Sequence, residues 1–464
     1  MKKPHMHLGL FIYPAGHHIA GWRHPAVDPR GIAGIDYYRQ VAQTAERGKF
    51  DLFFVGDMLA ARERDGRVIR EGGLNNIDSI SITSALSAVT ECLGFVATLS
   101  TTYNEPYYIA ERFASLDHIS NGRAGWNIIT TANDDAAYNF GQKSHMEKTL
   151  RYERAKEFID VCTALWDSWD DDALVADAAR GVFADPARIH PIDHQGRFFS
   201  VRGALELPRP PQGWPVLVQA GGSPSGIEFA AMVGEAIFAA QSKLDEARAY
   251  RAAVMQRMPK YGRSPDTLKV LPGLSPILGS TEQEAKRKEA ELDELILPAV
   301  GVWMLSEQMR FRLYDYALDA RLPCDEIRAS DQAFTPRVIS LLERAEREGL
   351  TVLACANLVA KSRSHGTFVG TPDQLADHMQ LWFESGGCDG FNIMPAYFPD
   401  ELDVFVDQAV PVLQRRGLFR TEYEGTMLRD HLDLAYPKRS RDALTAARVI
   451  ASAADTPASA TGRR

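Results

Sequence analysis

The sequence predicts an α/β fold of the (β/α)8, or TIM-barrel, type with insertions. Eight short apolar runs recur along the chain, most of them separated by segments with helical periodicity. Polar residues gather where those runs end, as from Asn127 to Asn133, and the carboxyl ends of parallel strands are where such folds place their chemistry. The chain has 464 residues, 45% hydrophobic and 24% charged, which suits one large barrel with additions. The structural rival is a doubly wound open sheet, which usually has fewer strands.

Strands are expected at His7–Tyr13, Leu52–Gly56, Gly94–Ser100, Ala124–Ile129, Pro215–Ala220, Ala236–Ala240, Leu268–Leu278 and Phe391–Met394. After the first, Asp36 to Gly48 places Tyr37, Val41 and Ala45 on one helical stripe that stops at a glycine. Asn121-Gly122 ends a helix in the left-handed conformation and leads into the fourth strand, where Trp126 looks exposed among polar neighbours. Tyr152, Ala155, Phe158, Ile159, Cys162, Leu165 and Trp166 recur at three- and four-residue steps. Thr371-Pro372-Asp373 opens a late helix as cap and first-turn proline, and Gly386-Gly387 closes it.

Three stretches depart from the repeat. Residues 170–214 read as a hairpin insertion, being too long for a plain loop. Residues 299–365 are helical and aromatic (Trp303, Phe311, Tyr314, Tyr316) and are expected to cover the barrel mouth as a lid. A single domain is thus expected over 1–445, with 446–464 a small-residue, polar tail expected to be partly disordered.

Composition excludes several classes. A formal charge of −9 argues against nucleic acid, whose phosphates need a basic face. Five cysteines with no C-x-x-C pair fit scattered core thiols in a reducing cytoplasm better than a disulfide frame or a zinc knuckle. The N-terminus is a poor signal peptide, broken by Pro14 and Gly16, and no apolar run approaches a bilayer span. No strand–GxGxxG–helix unit appears, so a Rossmann site for a nicotinamide dinucleotide is not indicated.

The expected strand ends are rich in neutral donors and acceptors, glycines and aromatic rings, and poor in metal-ligand spacings. That favours a large, flat, polar-edged cofactor over hydrolysis. The stretch 219–226, QAGGSPSG, leaves a strand and opens a helix. Its backbone N–H groups can converge on an anion, with the Ser223 hydroxyl as a further donor. A tight turn with Ser223 as helix cap explains the same residues, and both readings stay open. His17, His18 and His24 sit in a glycine-bearing loop without carboxylates at ligand spacing, which suits substrate contact or surface histidines and no metal. Asp57 ends an apolar strand and reads either as a buried group at its mouth or as a cap. Tyr152 lies on an inward stripe, where core packing is the default and its hydroxyl needs a partner.

The stretches GWRHPAVDP (21–29), FVGD (54–57), ATLSTTYNEPY (97–107), RFASLDHISNGRAGWNIITTAND (112–134), LRYERAKEF (150–158), QAGGSPSG (219–226), VGTP (369–372), DGFNIMP (389–395) and LQRRGLFRTEYEG (413–425) occur in order. Together they resemble the nitrilotriacetate monooxygenase component A and dibenzothiophene-sulfone monooxygenase branch of the bacterial luciferase-like flavin monooxygenases. The resemblance spans nearly the whole chain and implies a barrel of the luciferase-like type. It also implies an FMNH2-dependent monooxygenase that inserts one atom of O2 into a small organic substrate through a flavin peroxide. Reduced FMN would diffuse from a separate NAD(P)H-dependent flavin reductase, and the oxygenase would be a homodimer or homotetramer. By motif match Asp57, Thr98 and Asn127 would lie along the flavin ring. Tyr152 and Ser223, helped by the amides of Gly221 and Gly222, would reach the ribityl phosphate. His17 and Tyr103 would face substrate. Relatives carry histidine shortly before the matched tyrosine; here Lys148 stands there, a candidate phosphate contact, with His145 further upstream. A deazaflavin-dependent oxidoreductase on the same barrel and a non-catalytic flavin-binding protein are the alternative readings.

Overall fold

The computed structural model describes residues 5–60, 77–131, 133–330, 334, 336–363 and 365–439. The tail expected over 446–464 lies outside the described residues. Eight strands form the barrel: β1 (His7–Ile12), β2 (Leu52–Val55), β3 (Gly94–Ser100), β4 (Ala124–Ile129), β5 (Val216–Gln219), β6 (Ala236–Ala239), β7 (Lys269–Leu278) and β8 (Gly390–Ile393). All pairings among them are parallel, in the order β6-β5-β4-β3-β2-β1-β8-β7, and β6 pairs with β7 to close the ring. Closure separates this fold from the open-sheet rival. No helix among the described residues is long and apolar enough to cross a membrane.

Alternation sorts each strand's side chains between two cores. Phe11, Leu52, Phe54, Val96, Val216, Val218, Ala236 and Leu271 form one buried cluster with Met394. Leu8, Leu10, Ile12, Phe53, Val55 and Phe95 belong to another, shared with the helix Ile35–Arg47. Leu428 and Leu432 of the C-terminal segment join the first cluster. Leu428 fits beneath β3 because Gly94 has no side chain: a Cβ there would stand 2.5 Å from its Cδ1.

Trp126 is fully buried, against the sequence expectation. Its position on β4 turns it toward the helices Pro106–Ile119 and Lys148–Trp166, where it meets Phe113, Phe158 and Trp166 at ring distances of 5.3, 5.9 and 6.4 Å. Its indole N–H donates to the Leu99 carbonyl at 3.1 Å. The neighbours that cover it are distant in sequence, so local polarity misleads.

Asn121 (φ 55°) and Gly122 (φ 84°) leave the preceding helix left-handed, as expected. Between β4's helix and β5, residues 174–177 pair with 182–184, and 194–195 with 200–201, as two small antiparallel ribbons. After β7 and the helix Glu282–Glu294 come the helices Pro298–Met309, Cys324–Ala329, Pro336–Glu348 and Val352–Ser362, which share a core of their own including Leu305, Met309, Ile327, Val352 and Cys355. The strand Gly366–Gly370, not expected from the sequence, then pairs with the upper half of β7, Leu274–Leu278. All five cysteines are free thiols.

Candidate functional site

A cleft of about 1160 Å³ opens beside the carboxyl ends of β2, β4 and β5. One side is built from Asp57, Ile128 to Thr131, Asn133, Tyr152, Gln219 and Gly221; the other from Trp303, Ser306, Glu307, Arg310 to Arg312 and Tyr314. Small-molecule pockets run from about 300 to 1,000 Å³, so this volume holds a nucleotide-sized ligand with space for a second molecule. Asp57, Tyr152 and Gly221 of the sequence-expected residues line it. Thr98 and Asn127 are buried on β3 and β4, side by side in the ladder. Gly222 and Ser223 continue the turn beyond Gly221. Lys148 is exposed in the first turn of its helix and does not line the cleft.

Asn127 is 4% exposed. Its Nδ2 donates to Thr98 Oγ1 at 2.9 Å, and that hydroxyl donates to the Val55 carbonyl at 2.7 Å. The chain of bonds fixes which end of the amide is which. Asn127 Oδ1 is left buried without a partner among the described residues. An unmet buried acceptor costs about 1–3 kcal/mol, which a ligand N–H would recover.

The turn after β5 is tight because two glycines meet: a Cβ on Gly221 would stand 2.8 Å from the Gly226 Cα. Tyr250 donates its hydroxyl proton to the Gly221 carbonyl at 2.9 Å. Gly221 N–H is already taken, donating to Gln219 Oε1 at 2.5 Å. The amides of Gly222 and Ser223 bond no protein acceptor among the described residues, and a Cβ on Gly222 would meet nothing within 4 Å. Ser223 caps the helix Pro224–Val233, its Oγ accepting from Gly226 N–H at 3.2 Å. A hydroxyl that accepts one bond still has its proton to donate, so capping and anion contact are compatible. Amides converging at a helix N-terminus favour an anion.

Burial pushes the Asp57 carboxyl up to about 6, with the Asp78 charge adding to it, despite bonds from Met58 and Ser79. Met58 N–H donates to Asp57 Oδ1 at 2.6 Å. A carboxyl raised in this way binds its proton more tightly when folded. Its contribution to stability is therefore complete below the ordinary carboxylate range and is lost as pH rises through about 6. Since Asp57 is partly solvated, the loss is of order 1 kcal/mol. Asp57→Asn should remove that slope: urea unfolding at about pH 4.5 and about pH 7.5 should show a smaller stability difference in the variant than in the wild type.

Tyr103 stacks on Phe140 at 4.6 Å, and its Oη lies 2.6 Å from His145 Nδ1. Arg151 Nη1 reaches both His145 Nε2, at 2.6 Å, and the Thr131 carbonyl. The Thr131 carbonyl also lies 2.8 Å from His145 Nε2, so the guanidinium, the imidazole and the carbonyl meet at one point. This network props Thr131 (φ 50°), which lines the cleft. His17 is buried, with its ring near Tyr13 (5.9 Å) and His365 (5.6 Å). His365 stacks on Phe238 at 5.0 Å, and the Arg363 guanidinium covers Tyr13 at 4.1 Å. The end of the 299–365 segment thus reaches the tops of β1 and β6. His18 approaches Asp293 at 3.4 Å while His24 stacks on Tyr397 at 3.9 Å, so the loop histidines do not converge.

Sequence reasoning missed the roles of Gln219 and Arg151; of the wall from Trp303 to Tyr314 it named the aromatic residues Trp303, Phe311 and Tyr314 but not Ser306, Glu307, Arg310 or Arg312. Gln219 and Arg151 lie inside quoted motifs, which gave them a place but no partner. Trp303 sits on the helix Pro298–Met309. Its indole N–H is buried with no partner among the described residues, on a residue that lines the cleft.

Comparison with known proteins gives one consistent result. A family model for luciferase-like monooxygenases matches residues 10–389. N-acetyl-S-(2-succino)cysteine monooxygenase of Bacillus subtilis (strain 168) is 44% identical over 437 residues, 94% of this chain and 98% of that protein. Nitrilotriacetate monooxygenase component A of Aminobacter aminovorans is 44% identical over 445 residues, with 94% and 98% covered. The crystal structure of riboflavin lyase with modified FMN and riboflavin superposes with a TM-score of 0.81 at 30% identity, covering 92% of this chain and 95% of that one.

Proposed function

The chain belongs to the luciferase-like monooxygenase family and is a flavin-dependent monooxygenase; we propose that its flavin is reduced FMN, supplied by a separate NAD(P)H-dependent reductase. One oxygen atom of O2 enters a small organic substrate and the other leaves as water, with both electrons traced to NAD(P)H. The observation that carries this reading is the pairing of an anion-ready turn at Gly222–Ser223, directly after the cleft residue Gly221, with the unmet Oδ1 of Asn127, directly before the cleft residue Ile128. A flavin mononucleotide supplies both complements: a phosphate for the turn and a ring imide N–H for the amide oxygen. The absence of a dinucleotide fingerprint fits NAD(P)H acting on another protein, and the free cysteines fit a cytoplasmic setting.

When bound, the reduced flavin supplies the activation of O2, and the protein's task is orientation and exclusion of water. Gly222 and Ser223 hold the phosphate, with Tyr152 alongside. Asn127, fixed through Thr98, sets the ring edge. Asp57, near half-protonation around pH 6, can hold or release a proton at the same edge. The wall from Trp303 to Tyr314 belongs to the 299–365 segment, which we assign to substrate choice. Loops at this end of a barrel vary chemistry on a fixed scaffold.

The test is oxygen uptake with a generic flavin reductase, NADH and FMN across nitrilotriacetate, N-acetyl-S-(2-succino)cysteine, dibenzothiophene sulfone and dimethyl sulfide, with mass spectrometry for one added oxygen. Reduction of a deazaflavin without O2 uptake would overturn the reading. Trp303→Phe keeps the ring but deletes the donor. For the best compound it should raise KM about tenfold, the worth of one hydrogen bond to a polar acceptor, and leave the anaerobic Kd for FMNH2 within a factor of about two.

A further inference from the structure

The opposite, amino-terminal end of the barrel carries a side-chain cluster that the cleft does not use. His7 opens β1 and is 2% exposed. Its Nδ1 lies 3.2 Å from Oδ1 of the fully buried Asp51, which also accepts the Leu8 N–H at 2.6 Å and Arg420 Nη2 at 2.5 Å. A carboxylate held by an arginine only accepts, so the His7 proton sits on Nδ1 and its Nε2 presents a lone pair. That nitrogen faces Asp433 Oδ2 at 3.8 Å. Two acceptors facing each other repel unless a cation stands between them. His5 completes the arrangement: its ring centroid is 5.4 Å from that of His7, and one ligand atom each from His5, His7 and Asp433 lies within 4.8 Å of the others.

We propose that His5, His7 and Asp433 form a three-ligand site for a divalent transition metal of the zinc type. Two imidazoles and a carboxylate suit zinc, and a carboxylate behind one imidazole orients the ring and fixes its tautomer, as Asp51 does for His7. Bonds of about 2.0–2.2 Å bring tetrahedral ligand atoms to roughly 3.4 Å apart, so the cluster must close by about an ångström. The Asp433 side chain, 45% exposed, has room to make that move. Arg420 Nη2 lies 3.1 Å from His5 Nε2 and gives up that contact when the imidazole turns to the metal, keeping Asp51 and the His431 carbonyl at 2.7 Å. The site ties residue 5 to residue 433, joining the start of the described chain to the C-terminal segment that packs beneath the barrel. Its effect is on stability, as expected at this face, and it is separate from the oxygenase site.

The experiment uses the full chain, stripped with a chelator and returned to ZnCl2 at about pH 7.5, where imidazoles are neutral. Elemental analysis after desalting should give about one zinc per chain, and calorimetry should give a single binding isotherm. The melting temperature should rise by roughly 3 °C at zinc in about hundredfold excess over Kd. Asp433→Asn and His5→Gln, both outside the flavin cleft, should each lose the zinc and the shift and keep the oxygenase rate. No retained zinc, or zinc retained equally by both variants, would overturn the site. So would a melting temperature of the wild type that is insensitive to zinc.

Discussion

Ser223→Asp should weaken FMNH2 binding about a hundredfold while leaving the melting temperature where it is. Ser223 caps its helix in extended geometry (φ −79°, ψ 162°) by accepting from Gly226 N–H. Aspartate caps as well as serine does and adds a favourable charge at the helix N-terminus, so the fold has no reason to suffer. The phosphate does. A carboxylate about 5 Å from it, at an effective dielectric near 20, is repelled by about 3 kcal/mol per unit charge, which corresponds to roughly a hundredfold in Kd. Riboflavin, which has no phosphate, is the control and should bind the variant and the wild type alike. Anaerobic titration reads all four affinities. An unchanged Kd for FMNH2 would mean that the phosphate lies elsewhere.

The largest expected loss of stability is at the far end of the barrel. Arg429 is 1% exposed and forks onto Glu235, with Nη1 2.7 Å from Oε1 and Nη2 2.9 Å from Oε2. It also donates to the carbonyls of Trp214 and Ala435, each at 3.1 Å. Arg429→Met keeps most of the stem and leaves Glu235 charged, buried and short of its partner. Breaking a buried pair in this way costs about 3–5 kcal/mol, and the melting temperature should fall by roughly 4 °C. Glu235→Gln added to Arg429→Met should recover part of the loss, since the amide no longer strands a charge and its oxygen can still accept the Leu217 N–H that Glu235 takes at 3.0 Å. A single variant that melts like the wild type would show that the C-terminal segment is not a structural part of the barrel.

Much of the scaffold can be read from local pattern. The eight expected strands fall within about a residue of the observed ones at most ends, because burial on both faces makes parallel strands near-continuous apolar runs. Thr371 caps its helix in a full capping box with Gln374, and Asn121-Gly122 turns left-handed, because these are short-range consequences of backbone hydrogen bonding. The Gly366–Gly370 strand was not legible: its five residues carry no alternation of their own and gain strand character from the overhang of β7. Motif resemblance assigned Asp57, Thr98, Asn127, Tyr152 and the 221–223 turn to the flavin without saying which protein groups each one bonds.

The sequence by itself therefore determined the alternation of strands and helices, the placing of polar residues at strand ends, and the family. Each of these depends on spacings within a few tens of residues or on ordered motifs. Tertiary structure decided which groups are spent and which are left over. Gly221 N–H is taken by Gln219, while Asn127 Oδ1 and the Trp303 indole N–H are left unmet among the described residues. Trp126 is covered from all sides, and His5 and His7 meet Asp433 across more than four hundred residues of chain. A hydrogen bond is satisfied, or a charge paired, by whatever closure of the barrel brings within about 3 Å, and no periodicity in the chain encodes that distance.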